Sequence, residues 1–267
     1  MAAAATAAPA SRGFGDGHVL AARGDLQALS ALGWHYNWGM APGLQQTHGL
    51  PEFVPMAWGR RSAESITAAN LTAVNATALL CLNEVNMKKQ SNLTPEQACS
   101  LWPKLQAAAE GAGARISSPT INECRPSASL RAGLGGGCTE DPLSWMDRFV
   151  SVCPSARFDF VAYHHYSCNE QGVVDDVKKV ASRYNKPVWL TEFACPGGSA
   201  ERNARFASAV AKSLDALGGS VVERYAWFAA HIKNSSTFVG PAASLLEAPR
   251  DSPPQALSPV GRAYSNA

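Results

Sequence analysis

No stretch of this sequence approaches the roughly 20 consecutive apolar residues that a bilayer-spanning helix needs, so no membrane-spanning segment is expected. No two of its seven cysteines stand in C-x-x-C spacing, which sets aside a zinc ribbon or a thioredoxin-like redox site. Charge is scarce, at 16% of residues, and 23 basic side chains nearly balance 21 acidic ones. With Lys and Arg scattered along the chain, nothing resembles the clustered footprint that holds nucleic acid. No internal repeat or linker divides the chain. Residues Met1 to Ala10 are Ala-rich but lack the basic n-region and the Leu/Phe/Val-rich stretch of a secretory signal.

What is present is the composition of a soluble globular protein, 46% hydrophobic over 267 residues. That length suits one α/β barrel of about 250 residues better than two ordinary domains. We expect a disordered Ala-rich segment at residues 1–11 and a single domain over 12–267. Short apolar runs alternate with amphipathic stretches, the pattern of parallel βαβ units. The runs read as strands are Arg12 to Gly15, Trp34 to Trp38, Phe53 to Trp58, Ala78 to Asn83, Arg115 to Ser118, Phe158 to Tyr166, Pro187 to Glu192 and Tyr225 to Ala229. They match the eight strands that close a (β/α)8 TIM barrel. Helices are read over Thr94 to Glu110, Pro142 to Val152, Val173 to Tyr184 and Ala200 to Leu217. The first begins with Thr94 as N-cap, Pro95 at the first helical position and Glu96 in the first turn.

Polar residues at strand ends carry the functional signal. A parallel strand covered on both faces should be apolar throughout, so a carboxylate at its carboxyl end requires a reason. Leu79-Leu80-Cys81-Leu82-Asn83-Glu84 and Val188-Trp189-Leu190-Thr191-Glu192 both finish this way. With period two, Leu80, Leu82 and Glu84 share one face, as do Val188, Leu190 and Glu192, and both glutamates lean over the barrel mouth. Two such carboxylates can cleave a glycosidic bond: one protonates the leaving oxygen while the other attacks the anomeric carbon or activates water. The alternative is that each caps a helix or pairs with an arginine. Trp34, Tyr36, Trp38, Trp58, His164, Tyr166 and Trp227 crowd the same strand ends, and flat aromatic faces stack on the C–H faces of sugars. We read Trp38, Trp58 and Trp227 as substrate contacts. Trp102 and Trp145, within helices, and Trp189, whose parity points outward, are read as core.

Taken in order, Trp34-His35-Tyr36-Asn37-Trp38-Gly39, Phe53-Val54-Pro55-Met56-Ala57-Trp58-Gly59, Leu82-Asn83-Glu84-Val85-Asn86, Asp159 to Tyr166 and Trp189-Leu190-Thr191-Glu192-Phe193 resemble glycoside hydrolase family 128. The likeness runs from about Arg12 to Trp227. It implies a retaining β-1,3-glucanase acting on β-glucan polysaccharide or oligosaccharide. Endo attack is expected, with exo attack left open, and a monomer that needs no metal and no cofactor is expected as well. By the resemblance Glu84 is the acid/base, Glu192 the nucleophile and Asn83 a sugar hydroxyl contact. His164, Tyr166 and Tyr36 line the cleft, and Tyr166 helps keep Glu192 ionised. The family usually reads Asn-Glu-Pro where this chain has Asn83-Glu84-Val85. Two other functions stay open: a non-catalytic β-glucan-binding protein, and a hydrolase of another cell-wall β-glucan.

Cys168 and Cys195 lie two residues beyond Tyr166 and three beyond Glu192, placed to bridge two neighbouring loops. Cys124 with Cys138 closes a Gly-rich loop, Cys99 with Cys153 joins adjacent helices, and Cys81 is a buried apolar thiol. Three disulfides, together with sequons at Asn70, Asn75, Asn92 and Asn234, point to a secreted or cell-wall protein.

Overall fold

The computed structural model describes residues 11–16, 23–43, 49–124, 137–232, 238–247 and 256–267. The expected N-terminal disorder, apart from Ser11, the Asn234 sequon and the middle of the Gly-rich loop lie outside those residues.

The strands form a parallel ring: β1 (Arg12–Gly15), β2 (Trp34–Tyr36), β3 (Glu52–Phe53 continuing at Met56–Ala57), β4 (Ala78–Cys81), β5 (Arg115–Pro119 continuing at Ile121–Asn122), β6 (Val161–Tyr166), β7 (Val188–Ala194) and β8 (Val222–Phe228). β3 pauses around Pro55 and β5 around Thr120, and each half pairs with a different neighbour. The pairing of Arg12 with Tyr225 returns β8 to β1 and completes the circuit. Around it lie α1 (Arg23–Ala28), α2 (Arg60–Ser65), α3 (Ala68–Thr72), α4 (Pro95–Ala112), α5 (Pro142–Val152), α6 (Glu170–Tyr184), α7 (Ala200–Leu217) and α8 (Pro259–Ser265). The expected α/β barrel is therefore present, with α5 and α7 at the anticipated bounds.

Local chemistry explains the helix starts. Thr94 accepts from the Gln97 amide while Gln97 reaches back to the Thr94 amide, and Gly113 ends α4 in the left-handed region. Asp141 and Ser199 cap α5 and α7 by accepting from the Ser144 and Arg202 amides, without the reciprocal bond. Within the ring Trp34, Tyr36, Val54, Met56, Ala78, Leu80, Phe160, Trp189 and Ala226 form one buried cluster, while a larger apolar layer packs the strands' outer faces against the helices. Trp189 is thus core, as read, but it faces inward and stacks on Phe160 with ring centroids 4.0 Å apart.

All three anticipated disulfides form, with Cα separations of 5.4 Å for Cys99–Cys153, 6.0 Å for Cys124–Cys138 and 4.4 Å for Cys168–Cys195. Cys81 is a buried free thiol whose ionisation burial pushes up. Among the described residues no helix is long and apolar enough to cross a membrane.

Candidate active site

Both glutamates reach the carboxyl-terminal mouth of the barrel, though not by simple alternation. β4 ends at Cys81; Leu80 lies in the inner cluster whereas Leu82 belongs to the outer layer. Leu82 and Glu84 take left-handed backbone angles, with φ of +53° and +45°. Such angles cost an L-residue roughly 1 to 2 kcal/mol each and persist only where the surroundings enforce them. Here hydrogen bonds do so: Leu82 N donates to Ala57 O (2.8 Å), Asn83 N to Trp58 O (2.7 Å) and Val85 N to Thr120 O (3.1 Å).

On β7 the departure is a bulge. Leu190 pairs with Tyr163 but Glu192 pairs with the next residue, His164, and on the other side Leu190 and Phe193 pair with Tyr225 and Trp227. One extra residue, Thr191, therefore lies between an outward Leu190 and an inward Glu192. Val188 and Leu190 belong to the outer layer and do not share a face with Glu192.

The two carboxyl groups meet at His164. Its Nδ1 lies 3.0 Å from Glu84 Oε1 and 3.4 Å from Glu192 Oε2, and the ring is fully buried. Burial alone would lower the imidazolium, but the Glu192 charge and the Glu84 hydrogen bond and charge outweigh it and raise the ring above its usual value. Glu192 Oε1 accepts from Trp38 Nε1 at 2.7 Å and from the Tyr36 hydroxyl at 3.1 Å, while Oε2 accepts from the Tyr166 hydroxyl. Burial, followed by the charge of Glu192, pushes both phenols well above their ordinary range, so they keep their protons and act as donors. Burial likewise lifts the Glu192 carboxyl above the usual carboxylate range. The charge of His164 pulls it down, that of Glu84 pushes it up, and the Tyr166 and Trp38 hydrogen bonds favour the anion. Glu84 Oε1 accepts a second hydrogen bond, from Asn122 Nδ2.

An oxygen of Glu84, Nδ1 of His164 and an oxygen of Glu192 all lie within 4.8 Å of one another, a donor set that could also hold a cation. Glu84 and His164 are at the same time joined by a hydrogen bond, and Glu192 accepts from Trp38, Tyr36 and Tyr166.

The other anticipated residues divide. Trp38 is half-buried and sits directly on Glu192; its indole covers Gly15, where a Cβ would come within 2.7 Å of the ring. Tyr36, His164 and Tyr166 stand around the pair. Trp58 is half-buried against the inner cluster. Asn83 is buried, its Nδ2 donating to Gln90 Oε1 at 3.3 Å while its Oδ1 has no partner. Trp227 does not reach the mouth. It points into the outer layer beside Phe193, Phe206 and Tyr264, and its Nε1 donates to Ala243 O at 2.7 Å. The aromatic wall is instead completed by Phe228 and Phe238, both half-buried and edge-on to Tyr166 at 5.7 and 4.6 Å. Phe228 shares the inward parity of Ala226, a readable signal; Phe238 lies in a loop and carries none. Asn122 repeats the signal of the glutamates, a polar residue at a strand's carboxyl end.

A family model described as the glycosyl hydrolase catalytic core matches residues 18–264. Alkali-sensitive linkage protein 1 of Schizosaccharomyces pombe is 26% identical over 230 residues, which is 81% of this chain and 39% of that protein. The chain thus spans about two fifths of the curated relative it matches. Among solved structures, a glycoside hydrolase family 128 (subgroup II) endo-β-1,3-glucanase from Sorangium cellulosum superposes with a TM-score of 0.78 at 30% identity, over 96% of this chain and 98% of that one. A subgroup I endo-β-1,3-glucanase from Amycolatopsis mediterranei, in complex with laminarihexaose, gives 0.72 at 29% identity, covering 97% and 99% of the two chains. A subgroup III curdlan-specific exo-β-1,3-glucanase from Blastomyces gilchristii, in complex with glucose, gives 0.72 at 28% identity over 98% and 100%.

Proposed function

Since the chain belongs to the glycosyl hydrolase catalytic core family, and with it to glycoside hydrolase family 128, we propose that it is a retaining endo-β-1,3-glucanase whose catalytic pair is Glu84 and Glu192. The observation that carries this reading is the close approach of two buried carboxyl groups at the barrel mouth, with oxygens within 4.8 Å. Retaining glycosidases hold their carboxyls about 5 to 5.5 Å apart, whereas inverting ones leave about 6.5 to 9.5 Å for a water.

The roles follow from the partners. Glu192 receives N–H and O–H donors on both oxygens, which suits an anion: it attacks the anomeric carbon as the glycosidic C–O bond breaks. Glu84 gives its proton to the departing oxygen, then takes one from the water that displaces Glu192 and releases a sugar of unchanged configuration. Asn83, with a buried unpartnered oxygen, and Trp58 serve as sugar contacts. The relatives' laminarihexaose and glucose complexes support a β-glucan as the bound polymer. Residues 12–267 act as one catalytic unit and as a monomer, needing neither metal nor cofactor. The three disulfides favour an oxidising, extracellular site of action.

Proton NMR during laminarin digestion tests this. The β-anomer should form first and shorter oligosaccharides should accumulate internally cut. First release of the α-anomer would overturn retention, and release of glucose alone would overturn endo attack.

A further inference from the structure

We propose, resting on the reading of Glu84 as the acid/base, that Asn122 is a positioning residue for that carboxyl and that Asn86 holds Asn122 in place. Asn122 ends β5, its backbone paired with His164 on β6, and its Nδ2 donates to Glu84 Oε1. The Asn86 side chain, wholly buried, clamps the Asn122 backbone from the other side: Asn86 Nδ2 donates to Asn122 O, and Asn122 N donates to Asn86 Oδ1, both at 2.9 Å. Asn86 Nδ2 also approaches Cys124 Sγ at 3.3 Å and Glu140 O at 3.4 Å, the two ends of the loop closed by the Cys124–Cys138 disulfide. The Asn122 backbone is therefore fixed by a strand pairing, a side-chain clamp and, two residues on, a covalent bridge.

This placement has a chemical consequence. Asn122 and His164 both address the same oxygen, Oε1, so Oε2 is the oxygen left to carry the proton and face the scissile bond. The amide N–H does not ionise in this pH range. It favours the carboxylate that remains after the proton has left.

The test uses Asn122→Asp and Asn122→Ala in the full chain, with Glu84→Ala beside them. Asn122→Asp is nearly isosteric but sets an anion against Glu84, and should move the basic limb of kcat/KM upward by on the order of one pH unit. Asn122→Ala should move it the same way by less, and should lower kcat on laminarin by roughly 10- to 100-fold. The first step on an aryl β-oligoglucoside, whose leaving group needs no proton, should be largely spared. A purely structural role would lower both substrates alike and leave the limb where it is, and that result overturns the inference. If the alanine variant does not fold, the aspartate variant decides on the limb alone. Azide rescue separates the failures. An unrescued Glu84→Ala takes the acid/base reading down with the inference, whereas a rescued Glu84→Ala beside an unmoved limb removes the inference alone.

Discussion

The two ends of this barrel bury charge in opposite ways. At the amino-terminal end three arginines each meet a carboxylate. Arg12 binds Asp215 at 2.6 Å as well as Tyr225 and the carbonyl of Ala267; Arg224 binds Glu52 at 2.8 Å and stacks over Trp189; Arg115 pairs with Glu223. At the mouth two glutamates share one histidine, and three residues there, Trp38, Leu82 and Glu84, sit at positive φ. Matched pairs close the base and anchor the C-terminal segment. Unmatched like charges and strained backbone at the other end are a condition that folding alone would not select.

Substitutions at each end can break that contrast. The largest effect should come from Glu192→Ala, which should abolish turnover on every glucoside because no covalent intermediate forms. Glu84→Ala should cost on the order of 10²- to 10⁴-fold on laminarin while sparing the first step on an aryl glucoside. Added azide should then restore turnover as a β-glycosyl azide. If both variants keep wild-type rates on laminarin, the mouth is not the reacting end. At the base, Arg12→Ala should leave kcat unchanged and lower stability by about 2 to 3 kcal/mol, since Asp215 is partly exposed and regains water. Denaturant unfolding beside laminarin kinetics checks this, and a lost kcat with intact stability would erase the division of labour. The smallest shift is expected from Trp38→Phe, which removes an N–H from Glu192 but keeps a ring. That donor holds down a carboxyl already raised by burial, so its loss should move the acid limb of kcat/KM to higher pH by less than about one unit. A limb that stays put or moves down would show that the indole does not tune Glu192.

Much of the scaffold can be read in the sequence because parallel strands covered on both faces must be apolar runs. All eight strand positions and the Thr94 cap follow from that and from capping chemistry. Glu84 and Glu192 also stand out, as carboxylates closing apolar runs. Side-chain direction is harder. Period-two counting turns Trp189 outward and Trp227 toward substrate, and the structure reverses both. The same counting aims the glutamates at the mouth by a route the chain does not take, because left-handed residues interrupt β4 and a bulge interrupts β7. Phe238 comes from a distant loop, and Asn86 matters only through the backbone of Asn122. Neither relation has a periodicity to betray it.

The bulge at Thr191 makes the side that Glu192 faces depend on how the strand pairs, in a manner that its residue identities do not convey. Removing Thr191 would restore strict alternation and still leave Glu192 inward after the outward Leu190, whereas keeping Thr191 in an unbulged strand would swing Glu192 toward the helices and Phe193 into the barrel. A β7 of the same length paired without the bulge would keep a barrel with Glu192 facing the wrong side of the sheet.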